Sequence, residues 1–421
     1  MIPPPGRDRE IEMGRLFKKM LLLATGAAAL ASAPVQAVNF NLIDTGGTAV
    51  GTQARQGFEA AAYYWSSVLT NDVTVNLNIG FNALGAGILG STSSATALQF
   101  NSTYYTALYN NITSATDLTA VTNLRPLGVS ADYGLNSLTV QANALNASGT
   151  GYLDTALRID NDGSQNNNVV SINTSTSKAL GLTTDANGRT INYAAADGGV
   201  TFSTGFSFDF DPRDGIDANS FDFVGVAIHE IGHALGFRSG VDTYDAYTAP
   251  GSAASPNTPS RAGALENVTI ATGLDMFRYS APGVLDWSTQ GTPYFSIDGG
   301  QSQVLGNSLM STGVRNGDGR QASHFKDSPA DVPQLGVLDP TSGYGQMQEI
   351  TALDLTAFDV IGWTTAFDPL TRPGYRMTTA AVFNQFATTL PEPATWLSMI
   401  LGFGLVGAAM RRRTTIRFAA A

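Results

Sequence analysis

The stretch His229-Glu230-Ile231-Gly232-His233-Ala234-Leu235-Gly236-Phe237 carries more chemistry than any other short segment of this 421-residue chain. Val224, Ala227, Ile228, Ile231 and Leu235 recur around it with helical spacing, so the segment from Ser220 to Phe237 is predicted to hold a helix with an apolar face. His229 and His233 then stand one turn apart on one side of that helix. Two imidazoles at i and i+4 can reach one tetrahedral zinc ion, and Glu230 falls beside the water such an ion holds. Zinc lowers the pKa of that water from about 15.7 toward ~7, and Glu230 is the expected general base. Gly236 suits a helix that stops sharply and turns. A buried helix with two structural histidines has the same spacing. Scarcity weighs against it, because the chain has three histidines and two of them lie here.

Composition narrows the chemistry further. The hydrophobic fraction is 43%, enough for one large core or two moderate ones, while only 14% of residues are charged. With 45 glycines, a loop-rich surface is expected rather than a helical bundle. The formal net charge of −11 opposes binding to nucleic acid or to anionic membrane surfaces. Cysteine is absent, so disulfides, thiolate nucleophiles and cysteine metal sites are excluded, and a transition metal must be held by His, Asp or Glu.

Both ends read as addresses. Arg15, Lys18 and Lys19 precede an apolar stretch from Met20 to about Ala33, and Val35-Gln36-Ala37 offers small residues at a cleavage site. Residues 1–37 are therefore expected to be a signal peptide, with Val38 as the mature start and Met13 an alternative start of translation. The apolar run is short for a transmembrane anchor. At the other end stand Pro391-Glu392-Pro393, an apolar run from Ala394 to Met410, and Arg411-Arg412-Arg413. The span is marginal as a permanent membrane helix, and the arginines would hold it at the cytoplasmic face. This order of parts resembles the PEP-CTERM sorting signal of bacteria. The resemblance implies an exosortase-type processing partner, a Gram-negative host and a destination at or beyond the cell surface, with the chain held transiently in the inner membrane.

Between the ends no internal repeat is visible. Val38 to Ile43 reads as a strand and Gly57 to Leu69 as a helix, with Phe58, Ala61, Ala62, Trp65 and Leu69 as its apolar stripe. Val73 to Ile79 and Val200 to Phe210 alternate as half-buried strands do, and Tyr104 to Ile112 is a further candidate helix. Asn161 to Asn168 reads as a polar loop; Asp160, Asn161 and Asp162 do not have EF-hand spacing. Asp209, Asp211, Asp214 and Asp217 have calcium-ligand chemistry, though an acidic loop is the simpler reading. Residues 366–390 lack a clear core pattern and read as a linker.

A catalytic zinc site normally has three protein ligands and one open position. Ser239, Asp242 and His324, the last within Ala322-Ser323-His324-Phe325-Lys326-Asp327, are the residues to weigh for the third ligand. Ser239 is a poor ligand because its hydroxyl is not ionised near neutrality. Asp242 follows Gly240, where a chain leaving the helix tends to turn outward, and reads as a solvated turn aspartate.

The combination resembles the metzincin-like proteases, above all those of the leishmanolysin type. They pair H-E-x-x-H-x-x-G-F with a distant third histidine and a methionine-bearing turn. The resemblance implies His324 as the third ligand, and Leu335-Gly336-Val337-Leu338-Asp339-Pro340 as that turn with Leu338 in the methionine's place. It also implies a closing helix within Ile350 to Trp363. Tyr344 is a candidate oxyanion partner, although a tyrosine in a Gly-rich loop is more often a packing residue. Strict metzincins place the third histidine where Ser239 stands, and this chain departs from them there.

The resulting expectation is an α+β, zincin/metzincin-like domain over residues 38–365, its twisted mixed sheet packed on the zinc helix above a lower C-terminal subdomain. A linker (366–390) and a sorting signal (391–421) follow. The function expected is an exported zinc-dependent endopeptidase acting on peptide or protein substrates, with His229, His233 and His324 as Zn2+ ligands and Glu230 as base. The rival reading is a non-catalytic surface or matrix protein with a structural or degenerate metal site. An intact Glu230 argues against it, since a structural site needs no base.

Overall fold

A computed structural model describes residues 37–85, 87–145, 152–248, 268–329 and 332–390. The signal-peptide and sorting-signal expectations lie outside these residues. No helix among them is long and apolar enough to cross a membrane.

The architecture is α+β. Its first sheet has four strands in the order β1 (Asn39–Asp44), β2 (Thr74–Asn82), β4 (Gly198–Ser203), β3 (Gly90–Ser94). β1 and β4 both run parallel to β2, in registers such as Asn39↔Thr74 and Gly198↔Leu77. β3 is antiparallel to β4, from Gly198↔Ser94 to Phe202↔Gly90, and forms one edge of the sheet. Val75, Leu77 and Ile79 are buried, as the alternation of β2 predicts.

Helix α1 (Gln53–Val68) packs Phe58, Ala61, Ala62 and Trp65 into the core. It starts a turn earlier than the apolar stripe suggests, because the Thr52 hydroxyl accepts from the Arg55 amide and caps it. Helix α2 (Phe223–Ala234) contains the two-histidine motif and lies directly against α1. The approach is close enough that a Cβ on Gly57 would fall 2.3 Å from the Phe223 ring. Trp65 Nε1 donates to the Ile228 carbonyl at 3.1 Å, fixing one helix against the other.

Three sequence expectations need correction. Val200 to Phe210 is not one strand: β4 ends at Ser203, and Phe208–Asp209 pairs separately with Phe221–Asp222. The alternating phenylalanines belong instead to an aromatic cluster, in which Phe202 and Phe210 each lie 4.7 Å from Phe223. Asn161 to Asn168 is not wholly a solvated loop, since Gln165–Asn168 forms a helical turn with Asn166, Asn167 and Asn168 buried. The Asn168 side-chain NH2 donates to the Gly163 and Ser164 carbonyls, which ties the turn back on itself.

The third correction concerns residues 366–390, which are part of the fold rather than a linker. Arg376–Thr378 pairs antiparallel with Glu349–Thr351, the strand just before helix α3 (Ala352–Ile361). Helix α4 (Thr379–Thr389) then buries Val382, Phe383 and Phe386. Alanine and threonine fill most of its other positions, so the three apolar side chains make too narrow a stripe to stand out in sequence.

The residues between His233 and His324 do not build a sheet alone. Tyr294–Phe295, Arg278–Ala281 and Val284–Asp286 join Val140–Leu145 and Tyr152–Asp160 in one five-stranded sheet. Leu285 pairs with Val140 and Asp286 with Gln141.

Candidate metal centre

α2 begins at Asp222, whose carboxylate accepts from the Gly225 amide at 2.9 Å, the Gln348 amide at 3.0 Å and the Thr379 hydroxyl at 2.5 Å. It ends at Gly236, where a φ of +115° breaks the helix in a conformation that disfavours a side chain. Its last carbonyls are all claimed. Asn173 Nδ2 donates to those of His233 and Ala234, Ser175 to that of Ala234, and Thr176 and Trp363 to that of Leu235. A helix pinned at both ends presents its side chains in a fixed register.

His229, His233 and His324 converge on one point. Their Nε2 atoms are 3.0 Å (His229–His233), 3.1 Å (His229–His324) and 3.2 Å (His233–His324) apart. Each ring turns its Nδ1 to a carbonyl oxygen: Val337 at 2.7 Å for His229, Phe237 at 2.7 Å for His233, and Gln321 at 3.1 Å for His324. A carbonyl only accepts, so each Nδ1 carries the proton and each Nε2 presents a bare lone pair. Three lone pairs at such separations, with no proton between them, repel one another until a cation is placed among them. A tetrahedral ion ~2.0–2.1 Å from each nitrogen would set them roughly 3.3–3.4 Å apart. The observed spacing is within a few tenths of an ångström of that, so the three residues fit a metal ion. They form the potential metal-binding group found among the described residues. Burial, and then the neighbouring His229, push the pKa of His233 down to about 3. Burial and both neighbouring imidazoles likewise hold His324 well below the usual histidine range. Neutral imidazole is the form that binds metal.

Residues far apart in the chain hold these ligands in place. His229 depends on the turn at Val337-Leu338, whose two amides donate to the Asp354 carboxylate at 3.1 Å each. Asp354 also accepts from Thr351, completing a capping box at the start of α3. Burial raises the pKa of Asp354 to about 6, against the pull of those donors. Leu338 is buried, and a Cβ on Gly232 of α2 would lie 3.4 Å from its Cδ1, so it forms an apolar floor beneath the motif helix.

Asp242 is not the outward-facing turn residue that the sequence suggested. The chain turns back after Gly240 into the short helix Val241–Thr248, and Asp242 in its first turn faces inward. Its carboxylate accepts from the Ala322 amide at 2.6 Å, the Ser323 amide at 3.0 Å and the Ser323 hydroxyl. Asp242 thus holds the two residues immediately before His324. Ser239 also serves that loop: its amide donates to Ser323 Oγ at 2.9 Å while its hydroxyl donates to Asp275 at 2.5 Å.

Glu230, the three histidines and β3 line one cleft of about 790 Å³. Thr92, in the middle of β3, donates from Oγ1 to Glu230 Oε2 at 2.5 Å. Sequence reasoning missed Thr92 and Asp354, and it considered Asp242 only as a third ligand or a turn residue. Of these only Asp354 left a local signal, the Thr351-Ala352-Leu353-Asp354 capping pattern. Tyr344 is 59% exposed and its ring lies 4.2 Å from that of Phe221, so it is a packing residue outside the cleft wall. The Asp209 carboxylate accepts from the amides of Asp211 and Asp217, and Asp211 pairs with Arg213, as in a self-satisfied acidic loop.

Comparison with models of known protein families, with curated proteins and with solved structures finds no match for this chain.

Proposed function

We propose that the protein is a zinc-dependent endopeptidase with a zincin-like catalytic domain of the metzincin kind. The observation that carries the reading is the convergence of three unprotonated imidazole nitrogens in an open cleft that also exposes Glu230. A three-histidine donor set suits zinc and leaves a coordination position open, as catalysis requires. Zinc, when bound, supplies Lewis acidity, which polarises a carbonyl and lowers the pKa of water toward ~7.

The chain's own residues supply the rest. Thr92 holds Oε2 of Glu230, leaving Oε1 to take a proton from attacking water and return it to the leaving amine. An extended peptide can bind along the outer edge of β3 as an added strand, its backbone held by main-chain hydrogen bonds. That places the scissile carbonyl between β3 and α2, beside Glu230. Export by the signal peptide, and processing by an exosortase-type enzyme at the carboxyl end, belong to the same proposal and rest on residues 1–37 and 391–421.

The test combines metal content with turnover. Purified protein should carry about one zinc per chain. Glu230→Gln should keep it while peptide hydrolysis falls by at least ~100-fold, the lower range for a general base. Hydrolysis by the variant at the parent's rate, or a folded chain that takes up no zinc, would overturn the proposal.

A further inference from the structure

We propose that Arg238 is the specificity-determining residue of this cleft, its guanidinium receiving a carboxylate of the peptide substrate in the subsite beside His233. The carboxylate is either an Asp or Glu side chain or the carboxyl end of the peptide. The inference rests on the peptidase reading and deepens it by naming the substrate class.

Arg238 is the second residue after the break at Gly236, so the turn that ends α2 also delivers it to the cleft wall. Among the described residues lining that cleft it is the one lysine or arginine. It shares that wall with His233 and His324, which sets it beside the metal centre. The guanidinium has five N–H donors in a planar fork that matches a carboxylate. One nitrogen, Nη1, donates to Asn173 Oδ1 at 3.2 Å, and Arg238 makes no ion pair among the described residues.

The carboxylates whose charge reaches Arg238 are Asp275 and Asp242, and both are engaged elsewhere. Asp275 accepts from Ser239 Oγ, the Gly240 amide and Thr272. Asp242 holds the loop before His324. Of the other acidic residues on the wall, Glu230 makes no ion pair among the described residues and is held through Oε2 by Thr92, and Asp339 accepts from Ser328, Gln334 and Thr341. Burial disfavours the charged form of Arg238, and a substrate carboxylate would relieve that cost. A chain with net charge −11 repels acidic peptides at long range, so attraction must come from a local, directional contact. Ser239, Thr243 and Gln321, on the same wall, are neutral and offer no competing charge.

The probes are labelled Ala/Gly octapeptides carrying one glutamate at each position in turn, their glutamine counterparts, and both sets with free or amidated carboxyl ends. Binding is read by fluorescence anisotropy on zinc-loaded Glu230→Gln, and cleavage on the zinc-loaded parent. At one position glutamate should bind about tenfold more tightly than glutamine, and kcat/KM should differ by the same factor through KM. Arg238→Gln should erase the difference, Arg238→Lys should keep part of it, and Arg238→Glu should favour lysine at that position. A preference abolished by amidation, rather than by Glu-to-Gln exchange, identifies the peptide's carboxyl end as the group bound.

Cleavage with no Glu/Gln difference and no effect of amidation overturns the assignment of Arg238 and leaves the peptidase standing. An Arg238-dependent binding difference without any cleavage overturns the peptidase and leaves the carboxylate subsite. Loss of binding to every probe in all three variants, with zinc content and circular dichroism unchanged, also overturns the assignment, because a specificity residue should not control neutral peptides.

Discussion

Replacing Asp242 by asparagine turns one carboxylate oxygen into an amino group and leaves the outline of the side chain unchanged. Asp242 uses one oxygen for the Ala322 amide and the other for the amide and hydroxyl of Ser323. Asparagine has one acceptor oxygen, so whichever way it turns, its NH2 faces at least one buried N–H. A hydrogen bond to a charged acceptor contributes about 1.5–3 kcal/mol. The lost contact lies within two residues of His324, so most of that free energy should appear as weaker metal binding. At about 1.4 kcal/mol per factor of ten, the zinc Kd should rise roughly 10- to 100-fold. Burial pushes the Asp242 carboxyl above its ordinary range against the pull of Ser323 and Ala322, so parent and variant are compared at one fixed pH. The assay is competition with a chromophoric chelator, with circular dichroism to show that the fold is kept. A folded Asp242→Asn whose zinc Kd lies within threefold of the parent's would refute the reasoning. His324 would then be held by the contacts after it, where its carbonyl accepts from Ser311 and Phe325 donates to Leu338.

Three further outcomes follow. Burial, and then the charge of Asp117, raise the Asp359 pKa to about 7, so its stability contribution is full below pH ~3.8 and is lost as pH rises through 7. Asp359→Asn should therefore gain several °C in Tm at pH 8 and little at pH 4; equal gains at both would rule out titration as the cause. Phe383→Ala should cost about 3–5 kcal/mol in denaturant unfolding, because Phe383 is a buried core contact; a loss below ~1 kcal/mol would return α4 to the status of a linker. Mass spectrometry of protein recovered from its native host should show a mature start near Val38 and loss of the chain beyond Pro391-Glu392-Pro393. Intact protein in the outer membrane or medium, still carrying Arg411 to Arg413, would count against the sorting proposal.

What could be read from the sequence was local. His229, Glu230 and His233 are four residues or fewer apart on a periodic helix, and the apolar stripe of α1 and the alternation of β2 are equally short-range signals. His324 was reached by elimination and resemblance, and the structure does bring its Nε2 beside those of His229 and His233. Thr92 could not be found this way, because nothing near it in the chain shows that the middle of β3 lies beside Glu230. Asp242 was misjudged for a related reason: a turn aspartate and an inward-facing one have the same local sequence, and only the distant Ala322-Ser323 amides distinguish them. Helix α4 was missed because its apolar positions are few and its partners, on α1 and α2, come far earlier in the chain.

The Thr379 hydroxyl on Asp222 has a consequence for timing. The cap of the motif helix is completed by a residue that leaves the ribosome long after the helix itself. The same holds for His324, for the Val337 carbonyl that orients His229, and for Asp354 that fixes the Val337 turn. A chain delivered amino end first has its two paired histidines in hand early, but no third imidazole, no oriented His229 and no finished cap. The three-histidine site and the cap of its helix are thus assembled only after residues as far along as Thr379 have been made, so a metal-ready site waits on the late part of the described chain.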